Sequence, residues 1–306
     1  MRRILRAGLY RCGKDVFLYA GILLSFGWGL YCGRQAERGG IHAGDLNVLL
    51  CIMVALLSLS IGRKHAEGGF RNMLIKGYGK GRIFLCEFLL GLVAASLMIL
   101  AFFGGCGLMA HEAVFSYFPR ALAWRSAVGI FLSLLFVCAV TILLCCLISR
   151  RALTVLLNMA LVFALWSAGE ELYHDLQRKE FYPPIGLLQL EQSSDFTDEE
   201  KTLIIESAKA RGIDLAAGEK ILIPNPDYVH GTRRAVYRWL SDVYPCAQLV
   251  RYEKLIGPYF DPRNHWRLGL DDAELRFLTL SPLYTLACIA ALGTVGFFAF
   301  RRRELK

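Results

Sequence analysis

Six apolar blocks, separated by charged connectors, set the pattern of this chain. Val16–Gly33, Leu46–Gly62, Ala127–Ser149, Ala152–Gly169 and Phe277–Phe300 contain no Asp, Glu, Lys or Arg, and Ile83–Ala110 contains one such residue, Glu87. A helix needs about 20 apolar residues, within a range of roughly 17–25, to cross the hydrocarbon core of a bilayer. All six blocks meet that length. One block alone fits a buried core helix. Six of them, flanked by Arg and Lys, predict an integral membrane protein. The first block follows five basic residues, as a signal peptide would. Its apolar run exceeds the usual h-region of about 7–15 residues, and "YCGRQAERGG" stands where a small-residue cleavage site belongs. It is therefore expected to be a retained span.

The connectors have patterns of their own. In "RRILRAGLYRCGKD" the apolar Leu5, Leu9 and Cys12 share a helical face, with Arg2, Arg6 and Lys14 elsewhere, which predicts a short interfacial helix within residues 1–15. Residues 170–276 are hydrophilic and too long for a structureless loop in a compact protein. There "FTDEEKTLIIESAKARG" carries Thr197 and Glu200 at capping-box spacing, a stripe of Leu203, Ile204 and Ala208, and Gly212 as a stop. "GTRRAVYRWLSDVYP" places Ala235, Val236, Trp239, Leu240 and Val243 at helical spacing before Pro245. "GEKILIPNPDYV" is short, β-branched and ended by prolines. The expectation is an all-α integral membrane protein: an interfacial helix (1–15), five spans within 16–169 interrupted by a basic segment at 63–82, a mainly helical extracytoplasmic insertion (170–276), a sixth transmembrane helix (277–300) and a basic tail (301–306).

Charge supplies the orientation. Basic residues crowd one set of connectors: Arg2, Arg3, Arg6, Arg11 and Lys14; Arg63, Lys64, Arg71, Lys76, Lys80 and Arg82; Arg150 and Arg151; and Arg301, Arg302, Arg303 and Lys306. The short connectors on the opposite side hold only Arg34, Arg38, Arg120 and Arg125. The positive-inside rule then puts both termini in the cytoplasm and residues 170–276 outside. That outer segment is net acidic, so the overall charge of +9 comes from the inner face. This points away from nucleic acid and toward anionic lipid or a cytoplasmic partner. At 55% hydrophobic residues the 306-residue chain is richer in apolar side chains than a soluble protein, and its mean hydropathy is +0.42. Its ten cysteines fall mostly in or beside the spans, with no C-x-x-C and no zinc spacing, so neither a disulfide framework nor a metal site is expected.

The segment "EGGFRNMLIKGYGKGRIF" (Glu67–Phe84) suggests a phosphate loop at first sight. A Walker A loop requires G-x-x-x-x-G-K-[ST]. Here Lys80 is followed by Gly81, and the position five before Gly79 is Leu74. A helix fits better. Phe70, Met73, Leu74 and Gly77 lie at i, i+3, i+4 and i+7, Arg71, Asn72 and Lys76 occupy other faces, and Glu67 and Lys76 sit at the ends the helix dipole prefers. Gly77 and Gly79 end it. An amphipathic helix on the inner face serves either as a surface connector or as a dock for a cytoplasmic protein.

These residues carry a family likeness. "GGFRNMLIKGYGKGRIFLCEFLLG" resembles the intracellular coupling segment of bacterial ABC transporter permeases of the type-2 exporter class. The interfacial N-terminal helix, the six spans, the Arg150-Arg151 turn and the terminal "FFAFRRRELK" fit the same class. "NPDYVHGTRRAVYRWLSDVYPCAQ" (Asn225–Gln248) looks like the outer segment of such permeases from Gram-positive bacteria. The resemblance implies a transporter subunit of the plasma membrane rather than an enzyme. A separate ABC ATP-binding subunit would dock on Glu67–Gly77, using Arg71, Asn72 and Lys76 as contacts and Phe70 and Leu74 as anchors. A second copy, or a sister permease, would pair with it around the path. ATP hydrolysis would belong to the partner, and this chain would need no cofactor.

Other constellations are weaker. "GEELYHD" (Gly169–Asp175) lacks the arginine that glutamic intramembrane proteases carry, and reads as a polar cap on a span. His111-Glu112 has Phe115 where H-E-x-x-H needs its second histidine. Glu87 is costly inside a membrane and so is a functional candidate. Lying about one turn into its span, it is expected to act in structure or coupling. Asn158 and Trp166 either line a path or pack between helices. The rival to a permease is a non-transporting sensor or scaffold with a ligand-binding outer subdomain. A polytopic enzyme is disfavoured because no catalytic set converges within the spans.

Overall fold

The computed structural model describes residues 2–36, 43–109, 120–148, 150–182, 190, 197–210, 215, 223–225, 227–260 and 272–302. Eleven helices appear among them: α1 (Arg2–Cys12), α2 (Val16–Ala36), α3 (Ala43–Ala66), α4 (Gly69–Ile75), α5 (Lys80–Met109), α6 (Arg120–Leu147), α7 (Arg151–Gln177), α8 (Asp198–Ala210), α9 (Gly231–Val243), α10 (Pro245–Phe260) and α11 (Asp272–Arg302). The only strand-like pairing among the described residues is one bridge, Phe181 to Pro224. Helices α2, α3, α5, α6, α7 and α11 are long and apolar enough to cross a membrane. The chain is an all-α, multi-pass membrane protein.

Two compact units make up the chain: Met1–Tyr173 with Trp239–Lys306, and His174–Arg238. The larger unit is built around α6, which packs on α3, α5, α10 and α11. Of the apolar stretch of α6, 67% is buried, against 22% for α11, so α6 is the core and α11 keeps a broad apolar face toward lipid. Helices α2 and α5 approach most closely. A Cβ at Gly29 would lie 2.2 Å from the Phe102 carbonyl oxygen, and one at Gly105 would lie 2.4 Å from that of Phe26. Small residues of this kind let transmembrane backbones touch, since lipid supplies no hydrophobic drive between helices. Asp15 caps α2 through Phe17 N–H (3.1 Å) and also accepts a hydrogen bond from Ser60 of α3.

Helix α10 was not anticipated. The α9 helix ends at Val243 as Pro245 requires, but Pro245 then starts a new helix at the position where a missing N–H costs nothing. Helix α10 packs into the bundle. Tyr252 is fully buried, with its hydroxyl 2.5 Å from Ser281 Oγ, and Gln248 accepts a bond from Thr285 (2.7 Å) while donating to the Asp242 carbonyl (2.6 Å). Tyr244 donates to the Leu165 carbonyl at 2.6 Å. Thr285 lies eight residues inside Phe277, about 12 Å along the helix, so these contacts fall within the apolar layer. The compact unit His174–Arg238 is accordingly narrower than the 170–276 segment. It has its own small core of Leu190, Ala208, Leu215 and Ile223, with Tyr182 and Ile204 against it. Within the stripe expected on α8, Ala208 and Ile204 face this core and Leu203 is exposed.

Candidate functional site: the α4 connector and its cleft

The segment between α3 and α5 is shaped by two glycines. Gly68 (φ +69°) sits between α3 and α4, and Gly77 (φ +80°) closes α4. At that end Gly77 N–H bonds the Leu74 carbonyl (2.9 Å) and Tyr78 N–H bonds the Met73 carbonyl (3.2 Å), the paired bonds of a Schellman closure. A left-handed residue is required there, so glycine is the residue that fits. Gly68 is the N-cap and offers no side chain, which leaves Glu67 just outside the helix. Glu67 instead pairs with Arg63 at 2.6 Å, with both side chains about half exposed, an arrangement that contributes little.

One face of α4 belongs to the protein's own core. Phe70 is 3% exposed, meets the His65 ring at 4.1 Å in a tilted arrangement and lies 6.0 Å from the fully buried Phe300 ring of α11. The His65 ring in turn meets the Cys145 carbonyl of α6 at 2.9 Å. Met73 is buried, and Leu74 packs against the same core. Burying one such apolar side chain is worth about 1.5–3 kcal/mol, enough to fix a seven-residue helix that has no stability alone. The expected anchor Phe70 thus grips α3 and α11 of the same chain, and Leu74 packs on the same core, while His65 ties α3 to α6. The opposite face is bare: Arg71, Asn72 and Lys76 are exposed, and so is Ile75, at 74%.

Glu87 lies 5% exposed on α5 and is bound by Lys64 of α3, Nζ to Oε2 2.8 Å. The ion pair answers the cost of a lone carboxylate in a span. Above it is a cleft of about 90 Å³, walled by Gly8 and Arg11 of α1 and by Asn72, Lys76 and Tyr78. Of the residues singled out in the sequence, the structure brings Asn72, Lys76 and Glu87 to this one cleft. Arg71 lies on the bare face of α4, Phe70 and Leu74 turn inward, and Glu67 and Gly77 flank the helix. Sequence reasoning missed Lys64, Arg11, Tyr78 and Ile75. Lys64 stands two residues before the end of α3 and Glu87 seven residues into α5, and no spacing in the sequence pairs them.

The remaining candidates have structural surroundings. Asn158 is 1% exposed and donates to Ser58 Oγ at 2.9 Å, and Trp166 is also buried, so both pack between helices. Asp175 pairs with Arg178 at 3.6 Å. His111 and Glu112 lie outside the described residues. Among the described residues no group of three or more His, Cys, Asp or Glu side chains converges as a metal requires. No protein-family model matches the chain, and no curated protein is significantly similar to it.

Proposed function

We propose that this chain is the permease subunit of an ATP-driven exporter in a bacterial plasma membrane, and that α4 is where a separate ATP-binding subunit docks. The observation that carries the reading is the two-faced character of α4. Its inner face is locked to the ends of α3 and α11 through the contacts of Phe70 with His65 and Phe300, and His65 in turn ties α3 to α6. Its outer face presents Ile75 among Arg71, Asn72 and Lys76, an apolar contact ringed by polar ones. A force applied there reaches three candidate spans without passing through a flexible loop. The likeness of this segment to the coupling segment of type-2 exporter permeases and the six apolar helices support the same reading. The basic connectors then face the cytoplasm, as their charge implies. A second permease, identical or sister, completes the path, and hydrolysis takes place in the partner.

The test is an Arg71→Glu/Ile75→Asp variant, which leaves the buried face of α4 untouched. It is expected to lose the ATP-binding subunit and ATP-dependent transport while keeping its unfolding temperature. Association and transport at wild-type levels would remove α4 as the dock. The sensor or scaffold alternative has one specific support, the separate core of His174–Arg238. ATP-dependent movement of a substrate decides against it.

A further inference from the structure

We propose that the cleft between α1 and α4 holds the phosphate of an anionic glycerophospholipid. The cleft is bounded by Arg11 on one side and Lys76 on the other, with Asn72 and Tyr78 beside them. Both cations are exposed side chains, and neither forms an ion pair among the described residues. The acidic group on the cleft floor, Glu87, is held by Lys64 at 2.8 Å, so the pair leaves the two outer cations uncompensated. The volume of about 90 Å³ has room for a group the size of a phosphate.

Location selects a lipid as the source. The cleft opens where α3 ends at Ala66 and α5 begins at Lys80, the edge of two candidate spans. Gly8 brings α1 flat against α5, since a Cβ there would lie 2.2 Å from Leu90 Cδ1. Beyond the cleft α1 exposes Leu9 (53%) and Tyr10 (66%), apolar surface along which acyl chains can lie. Tyr78 is set at the rim by the Schellman closure that Gly77 permits. Basic pockets between membrane helices recognise anionic headgroups in this way. The proposal does not depend on the ATPase reading: Lys76 borders both the cleft and the outer face of α4, but Arg11 belongs to the cleft, lipid binding is read without any ATPase present, and docking is tested at Arg71 and Ile75.

The experiment is native mass spectrometry of the full chain, delipidated in mild detergent and titrated with phosphatidylglycerol or phosphatidylcholine. One phosphatidylglycerol is expected to bind with selectivity over phosphatidylcholine. Binding should weaken about thirtyfold in Arg11→Ala/Lys76→Ala, the equivalent of about 2 kcal/mol from two basic groups beside an anionic headgroup. Arg301→Ala/Arg302→Ala, removing two exposed cations from the end of α11, should bind as wild type. A tenfold excess of inorganic phosphate should displace nothing. Equal loss in both double variants, equal retention of phosphatidylcholine, or displacement by inorganic phosphate overturns the proposal. A headgroup-photoreactive phosphatidylglycerol gives an answer on the unaltered chain: crosslinks must fall in α1 or α4, and crosslinks confined elsewhere overturn it.

Discussion

Removing either member of the Lys64–Glu87 pair should destabilise the protein, whereas replacing both should not. The groups are 2.8 Å apart, with side chains 17% and 5% exposed. At an effective dielectric constant near 20 their attraction is about 6 kcal/mol, most of which offsets the desolvation of two charges. Lys64→Met leaves a carboxylate buried without its cation, and Glu87→Leu strands an ammonium. Each single change should cost about 3–5 kcal/mol, while Lys64→Met/Glu87→Leu, which fills the space with apolar atoms, should lie within about 1 kcal/mol of wild type. At about 2–4 °C per kcal/mol, each single variant should unfold about 10 °C lower by intrinsic fluorescence in detergent, and the double variant close to wild type. With those single and double values the double-mutant cycle should give a coupling of about 6–10 kcal/mol. If the two single effects are small, or simply add, the pair does not hold α3 to α5 and the reasoning fails.

Three further outcomes follow from the packing. Gly129→Ala puts a Cβ 1.9 Å from Tyr252 Oη, inside a fully buried ring, and should cost about 1–3 kcal/mol by thermal unfolding, with partial rescue by Tyr252→Leu. Gly77→Ala imposes a left-handed backbone on a side chain and should lower stability by about 1 kcal/mol; proteolysis should then begin at the α4 connector rather than in α6. Asn158→Ala removes the bond to Ser58 and should cost about 1 kcal/mol without changing ATP-dependent transport, and a transport defect in a normally stable variant would place Asn158 on the path.

The spans were legible because each is a block with at most one charge, and the amphipathic α4 because its apolar period matches 3.6. Gly77 was legible as a helix stop because only glycine tolerates the closure. Helix α10 escaped notice for a physical reason: Gln248, Arg251, Tyr252, Glu253 and Lys254 break its apolar run. Its buried Tyr252 and Gln248 are satisfied by Ser281 and Thr285 on another helix and by the Asp242 carbonyl, partners that no local pattern announces. The same holds for the site. The bare face of α4 was visible in the spacing of Arg71, Asn72 and Lys76. That Phe70 would point into its own chain depended on where His65 and Phe300 lie.

The most direct test of the central claim is recovery of the tagged chain from its native membrane in mild detergent, with identification of what accompanies it. The account predicts an ATP-binding subunit of the ABC class in stoichiometric amount, lost from the Arg71→Glu/Ile75→Asp variant. Recovery of the chain alone, repeated after crosslinking in intact cells, would contradict it.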